Sequence, residues 1–171
     1  MTYFIIFGCF VIAPVLILTF IYNDLVLSRN KVEETYSSID VMLKKRYDLI
    51  PNLIETAKKY MDYENSVLRD ITKLRTMATQ DTLSDEDKFK VNEQLTSKLH
   101  AFNLVVENYP ELKASESFDN LQRSLNEVEE QLSASRRNYN AAVKEYNVKI
   151  ESFPNNIVAA KMNFLKKDFF E

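Results

Sequence analysis

The chain opens with an uninterrupted apolar run. Residues Thr2 to Tyr22 carry no charge, and the first charged side chain is Asp24. About 20 helical residues, at a rise of ~1.5 Å each, cross a bilayer core of roughly 30 Å, so the run is long enough to span one. Tyr3 and Tyr22 stand at its ends, where interfacial aromatics belong. Pro14 lies in its middle, where a membrane helix accepts a kink. A cleaved secretory signal would need a basic region before the run and a small-residue cleavage site after it. Neither pattern is present, so residues 1–23 are expected to stay as a transmembrane anchor.

Beyond Tyr22 the apolar positions recur at steps of mostly three and four, the helical period. Leu25, Val32, Tyr36, Ile39, Leu43, Tyr47 and Ile50 form one stripe, and Ile54, Ala57, Met61, Leu68, Ile71, Leu74 and Ala78 form a second. Pro51 lies between them. Proline clashes inside a helix but is accepted in its first turn, where Asp48 would cap. The pattern therefore predicts a break near Tyr47 and a restart at Leu49, with a kink without reversal as the alternative. A polar stretch follows, and Ser84 with Asp87 resembles a capping box with a shorter acid. The third stripe is Leu95, Leu99, Phe102, Val106 and Tyr109, ended by Pro110. The fourth runs from Phe118 through Leu132, Tyr139 and Tyr146 to Phe153, a coiled-coil-like seam stopped by Pro154. These stripes predict helices over 24–47, 49–78, 85–108 and 115–153, with a tail over 154–171. Short links make neighbours antiparallel. The expected fold is all-α: an N-terminal transmembrane helix followed by an antiparallel up-and-down four-helix bundle.

Composition narrows the chemistry. Gly8 is the single glycine among 171 residues. Phosphate loops, dinucleotide-binding turns and nucleophile elbows each need two or three. One His and one Cys fall short of a His/Cys metal site, and His100 has no partner for a Glu-x-x-His di-iron pair. The acids Glu127, Glu129 and Glu130 lie near Arg123, Arg136 and Arg137, and read as a solvated ion-pair lattice on a helix face. A net charge of −3 leaves no basic excess for nucleic acid, so none is expected as partner. Neither catalysis nor a cofactor is expected. Arg29, Lys31 and Lys44 to Arg46 follow the span, and the positive-inside rule therefore places the helical body in the cytoplasm.

Several strings are specific. They are Tyr22 to Val26, Arg29 to Val32, and Ile39 to Leu53, which contains Lys44-Lys45-Arg46-Tyr47-Asp48-Leu49-Ile50-Pro51-Asn52-Leu53. Glu107 to Ala114, Arg136 to Asn140, Tyr146-Asn147 and Phe153-Pro154 complete the set. Together they resemble the LemA family of bacterial membrane proteins over nearly the whole chain. The resemblance implies one N-terminal span, a four-helix body, assembly into homo-oligomers at the inner membrane, and a scaffold or adaptor role beside other membrane proteins. It carries over no catalytic residue. The polar, acidic stretch over 79–92 departs from relatives that tend to alanine there.

Three groups of residues stand out as candidate sites. If the first helix ends at Tyr47, Arg46, Asp48, Pro51 and Asn52 should meet Tyr109, Pro110, Lys113 and Glu116 in a polar cluster at the pole distant from the membrane. Asn140 and Asn147 each follow a seam tyrosine, Tyr139 and Tyr146, and should set helix register near the membrane at the level of Asn30. The tail carries Phe164, Phe169 and Phe170 beside Lys166 and Lys167. It should either enter the lipid interface or pack over the bundle core, with a subunit interface as a variant of packing. The expected partners are the lipid bilayer and further copies of the chain, with another membrane protein as the adaptor alternative.

Overall fold

The computed structural model describes the backbone of residues 2–61, 66–80 and 85–170, and the side chains of 12–61, 66–80 and 87–170. Ser84 and part of the expected 49–78 helix lie outside the described residues. The elements are α1 (Thr2–Ala57), α2 (Ser66–Ala78), α3 (Asp85–Val106), α4 (Pro110–Lys113), α5 (Glu116–Glu151) and α6 (Asn155–Lys161). The fold among the described residues is all-helical. It divides into two compact units, one of Met1–Asp40 with Ser133–Glu171 and one of Val41–Leu132.

The expected break at Tyr47 does not occur. Helix α1 runs through Pro51 to Ala57, and Asp48 is exposed rather than a cap. The physical reason comes from a neighbouring helix. A proline at position 51 has no N–H for the carbonyl of Tyr47, four residues back. That carbonyl accepts a hydrogen bond from Arg75 Nε of α2 at 3.3 Å instead. A side chain from a neighbouring helix takes the place of the missing amide, so the helix continues. Its end is marked by a turn at Lys58 to Tyr60.

In the unit of residues 41–132, the apolar stripes become the core: Leu43, Tyr47, Ile50, Leu53, Leu68, Ile71, Leu95, Phe102, Leu112 and Phe118 are buried. Phe102 and Phe118 meet edge to face with ring centroids 6.1 Å apart. In the other unit, Ile21, Leu25 and Val32 of α1 pack with Ala142, Val143, Tyr146 and Ile150 of α5 and with Val158 and Ala159 of α6. Polar pairs mark how α1 and α5 lie within this unit. Asp24 meets Lys149 at 3.0 Å, Lys31 meets Glu145 at 3.4 Å, and the rings of Tyr36 and Tyr139 are 5.7 Å apart. Residue numbers rise on one helix as they fall on the other, so these two stretches run in opposite directions.

The apolar run of α1 is uncovered. Ile12, Val15, Leu16, Ile17, Leu18 and Phe20 are all exposed, Phe20 at 76%. By length and composition α1 is the one described helix able to cross a membrane. No break separates this stretch from Ile21 and Leu25, where packing begins.

Candidate functional site

Helix α6 ends in a motif that redirects the chain. Asn163 takes a left-handed conformation, φ 57°, and Phe164 N–H donates to the Ala159 carbonyl at 2.9 Å. This is the six-to-one bond of a Schellman cap, which uses a residue able to adopt positive φ, glycine or, as here, asparagine. Residues 164–170 then leave the helix and run along α5 as a strap without regular secondary structure.

The strap is read by its main chain. Asn147 donates from Nδ2 to the Lys167 carbonyl at 2.8 Å and accepts from the Lys167 N–H at 3.0 Å. Asn140 makes the same two bonds with Phe170, both at 2.8 Å. Each amide thus behaves like a neighbouring β-strand residue. The hydroxyl of Tyr146 donates to the Leu165 carbonyl at 2.9 Å, and that of Tyr139 to the Asp168 carbonyl at 3.1 Å. The spacing is matched by geometry. Seven helical residues rise about 10.5 Å, and three extended residues advance about 10 Å. A Tyr-Asn pair repeated after seven residues on α5 therefore meets the strap every third residue.

Aromatic side chains anchor the strap's two ends. Phe164 sits edge-on to Tyr22 at 6.0 Å and under the Arg29 guanidinium at 5.5 Å. Phe170 is buried, with Arg136 over its ring at 4.6 Å. Between them Leu165 and Phe169 are exposed, and Lys166 pairs with Glu151. Burial raises the Tyr146 hydroxyl above its ordinary value of 10.0, keeping it a neutral donor. The bond to Asp24 raises Lys149 above 10.5.

Asn140 and Asn147 are expected to set register by hydrogen bonds, and the partner that they bond is the strap. Asn30 is exposed, next to Lys31, which meets Glu145 of α5. The tail packs along α5, although Phe169 does not share in the burial.

Of the residues expected in a polar cluster at the far pole, Arg46 makes its bonds elsewhere. Arg46 is 2% exposed and engages Thr96 at 2.7 Å and Glu129 at 3.0 Å. Thr96 lies ten residues before the end of α3 and Glu129 thirteen after the start of α5, roughly 15–20 Å of helix rise from the Tyr109 to Glu116 string. Because α1 does not turn at Tyr47, Arg46 falls along the helices instead of at their ends. Asp48, Pro51 and Asn52 are exposed. Pro110 opens α4 after Tyr109, Lys113 pairs with Glu107 at 2.6 Å, and Glu116 begins α5.

Sequence reasoning missed the rest of the Arg46 network. Fully buried Asn92 accepts from the Tyr47 hydroxyl at 2.7 Å and donates to the Lys88 carbonyl at 2.8 Å. A cavity of about 50 Å³ beside Arg46, Thr96, Asn103 and Glu129 holds a few waters at most. His100 lies at its rim and is exposed.

An uncovered apolar helix joined to a packed helical body defines a membrane-associated helical protein. The chain belongs to the LemA family, whose model matches residues 35–171. It is 27% identical to Protein LemA of Metamycoplasma hominis over 96% of this chain and 77% of that relative. It is 22% identical to Magnetosome protein MamQ 2 of Paramagnetospirillum magneticum, covering 94% of this chain and 68% of the relative. Magnetosome protein MamQ of Magnetospirillum gryphiswaldense is 20% identical over 87% of this chain and 64% of its own length.

Proposed function

We propose that this protein is a single-pass, membrane-anchored scaffold whose helical bodies associate with one another at the inner membrane, on the cytoplasmic side. The observation that carries this reading is the form of α1. An exposed apolar stretch passes without a linker into residues that pack against α5. A helical joint transmits orientation, whereas a flexible linker would let the body tumble. Copies held by such anchors share one plane and one orientation, which raises their effective concentration for contact. The up-and-down four-helix arrangement expected from the stripes belongs to this proposal. The names of the MamQ relatives place them with magnetosomes, and their similarity along most of this chain is in keeping with a membrane-associated role.

The test is the mass of the full-length chain in detergent, measured by size-exclusion chromatography with light scattering. Discrete assemblies of several copies are expected. A stable monomer at all concentrations would transfer the reading to an adaptor that docks on another membrane protein.

A further inference from the structure

The strap and its receptor are separable parts. The receptor is the Tyr139-Asn140 and Tyr146-Asn147 ladder, with Arg136 at one end and Tyr22 and Arg29 at the other. It reads four backbone carbonyls and two backbone N–H groups, and it takes aromatic side chains at positions 164 and 170, with Lys166 paired to Glu151 at the end of α5. The ligand class is therefore narrow: an extended segment with aromatic residues six apart and no proline at the two donating positions. Residues 164–170 meet it. They hang from α6 by a two-residue joint, Met162 and Asn163, at which the chain changes direction.

We propose that this ladder is an extended-peptide receptor whose strap is exchanged between copies, so that the 164–170 segment of one chain occupies the α5 ladder of another. The proposal rests on the self-association reading and supplies its contact. A strap that fits in cis fits an identical ladder in trans with the same bonds, so exchange itself costs no contact. The balance is then set by the effective concentration of neighbouring ladders, which anchoring in one membrane plane raises. The exposed Leu165 and Phe169 add apolar surface that a second copy can cover.

The experiment uses the full-length chain with Cys9→Ala in liposomes. Two differently tagged forms are mixed, one with Lys144→Cys and the other with Asp168→Cys, and treated with a flexible bis-maleimide. Lys144 is exposed on α5 between the two asparagines and makes none of the ladder's bonds, and Asp168 contributes only its carbonyl, so both side chains are free to change. A covalent adduct between the two tags is expected, reduced at least tenfold by adding Asn140→Leu and Asn147→Leu to the Lys144→Cys form. A single chain carrying both cysteines is the control. Assemblies by light scattering with adducts confined to single chains would overturn exchange and leave self-association standing. Monomers with adducts confined to single chains would overturn both. As a second measure, a peptide of residues 162–170 should bind saturably to a chain ended at Lys161; no binding would remove the receptor itself.

Discussion

The smallest decisive features are single polar side chains that stand in for backbone. Asn163 supplies the positive φ at the end of α6. A β-branched residue resists this conformation, at a cost of roughly 1–2 kcal/mol. Asn163→Ile should therefore lower the melting temperature and expose the strap to protease, whereas Asn163→Gly should leave both near wild type. Thermal unfolding followed by circular dichroism, with limited proteolysis, checks this pair. Asn140 and Asn147 were visible in the sequence as a repeat, because each follows a seam tyrosine at the same heptad interval. Their ligand was not visible. An amide beside a helical seam bonds equally well to a facing helix or to an extended chain, and only the path of residues 164–170 decides between them. Asn92 gave no periodic signal, since a buried asparagine is legible only once its partner, the Tyr47 hydroxyl, is in place.

At the scale of the element, the question is what lets α1 pass through Pro51. The Arg75 Nε bond to the Tyr47 carbonyl predicts a specific coupling. Arg75→Met should destabilise by about 1–2 kcal/mol, the range for a carbonyl deprived of its partner in a half-buried setting. In a Pro51→Ala background the restored amide bonds the same carbonyl, so the cost of Arg75→Met should shrink to a few tenths. A double-mutant cycle by chemical denaturation measures the difference. Equal costs in both backgrounds would show that Arg75 acts elsewhere. Asp70 on α2 and Lys98 on α3 form a second inter-helix link at 2.6 Å, and the lysine holds the Asp70 carboxyl below its ordinary 3.8. Its contribution is present above that value and lost as pH falls through the lowered one. Both groups are nearly half exposed, so the effect is small.

At the scale of the whole molecule, alkaline pH should be the weak side of the unit that holds the strap. Tyr146 and Lys149 both have raised values in the folded chain, the first from burial and the second from Asp24. On unfolding each releases its proton more readily, so the stability they lend is complete below about pH 10 and declines as pH rises towards their folded values. Melting temperature should therefore fall above pH 10. Tyr146→Phe should flatten part of that decline, at the expense of a lower plateau from the lost bond to Leu165. The proposed anchor makes a separate expectation. The full chain should stay with membranes through a high-salt wash and leave them in detergent, while deletion of residues 2–23 should release the body into the soluble fraction.

Much was determined by sequence alone, and for one reason. Periodicity and charge are local properties, so the apolar run, the helical stripes, the ends of α3 and α5 and the scarcity of glycine, histidine and cysteine could all be read along the chain. The LemA strings were legible for the same reason. Three features were decided only in space. Pro51 is a helix breaker by rule, and α1 continues because Arg75 comes from another helix. Arg46 looked like an end-of-helix residue, and the uninterrupted α1 brings it to Thr96 and Glu129 instead. The tail had an apolar-basic composition that suits lipid or protein equally. Its course was settled by backbone hydrogen bonds to Tyr139, Asn140, Tyr146 and Asn147, and backbone groups are the same in every residue but proline, so no pattern of side chains could announce them.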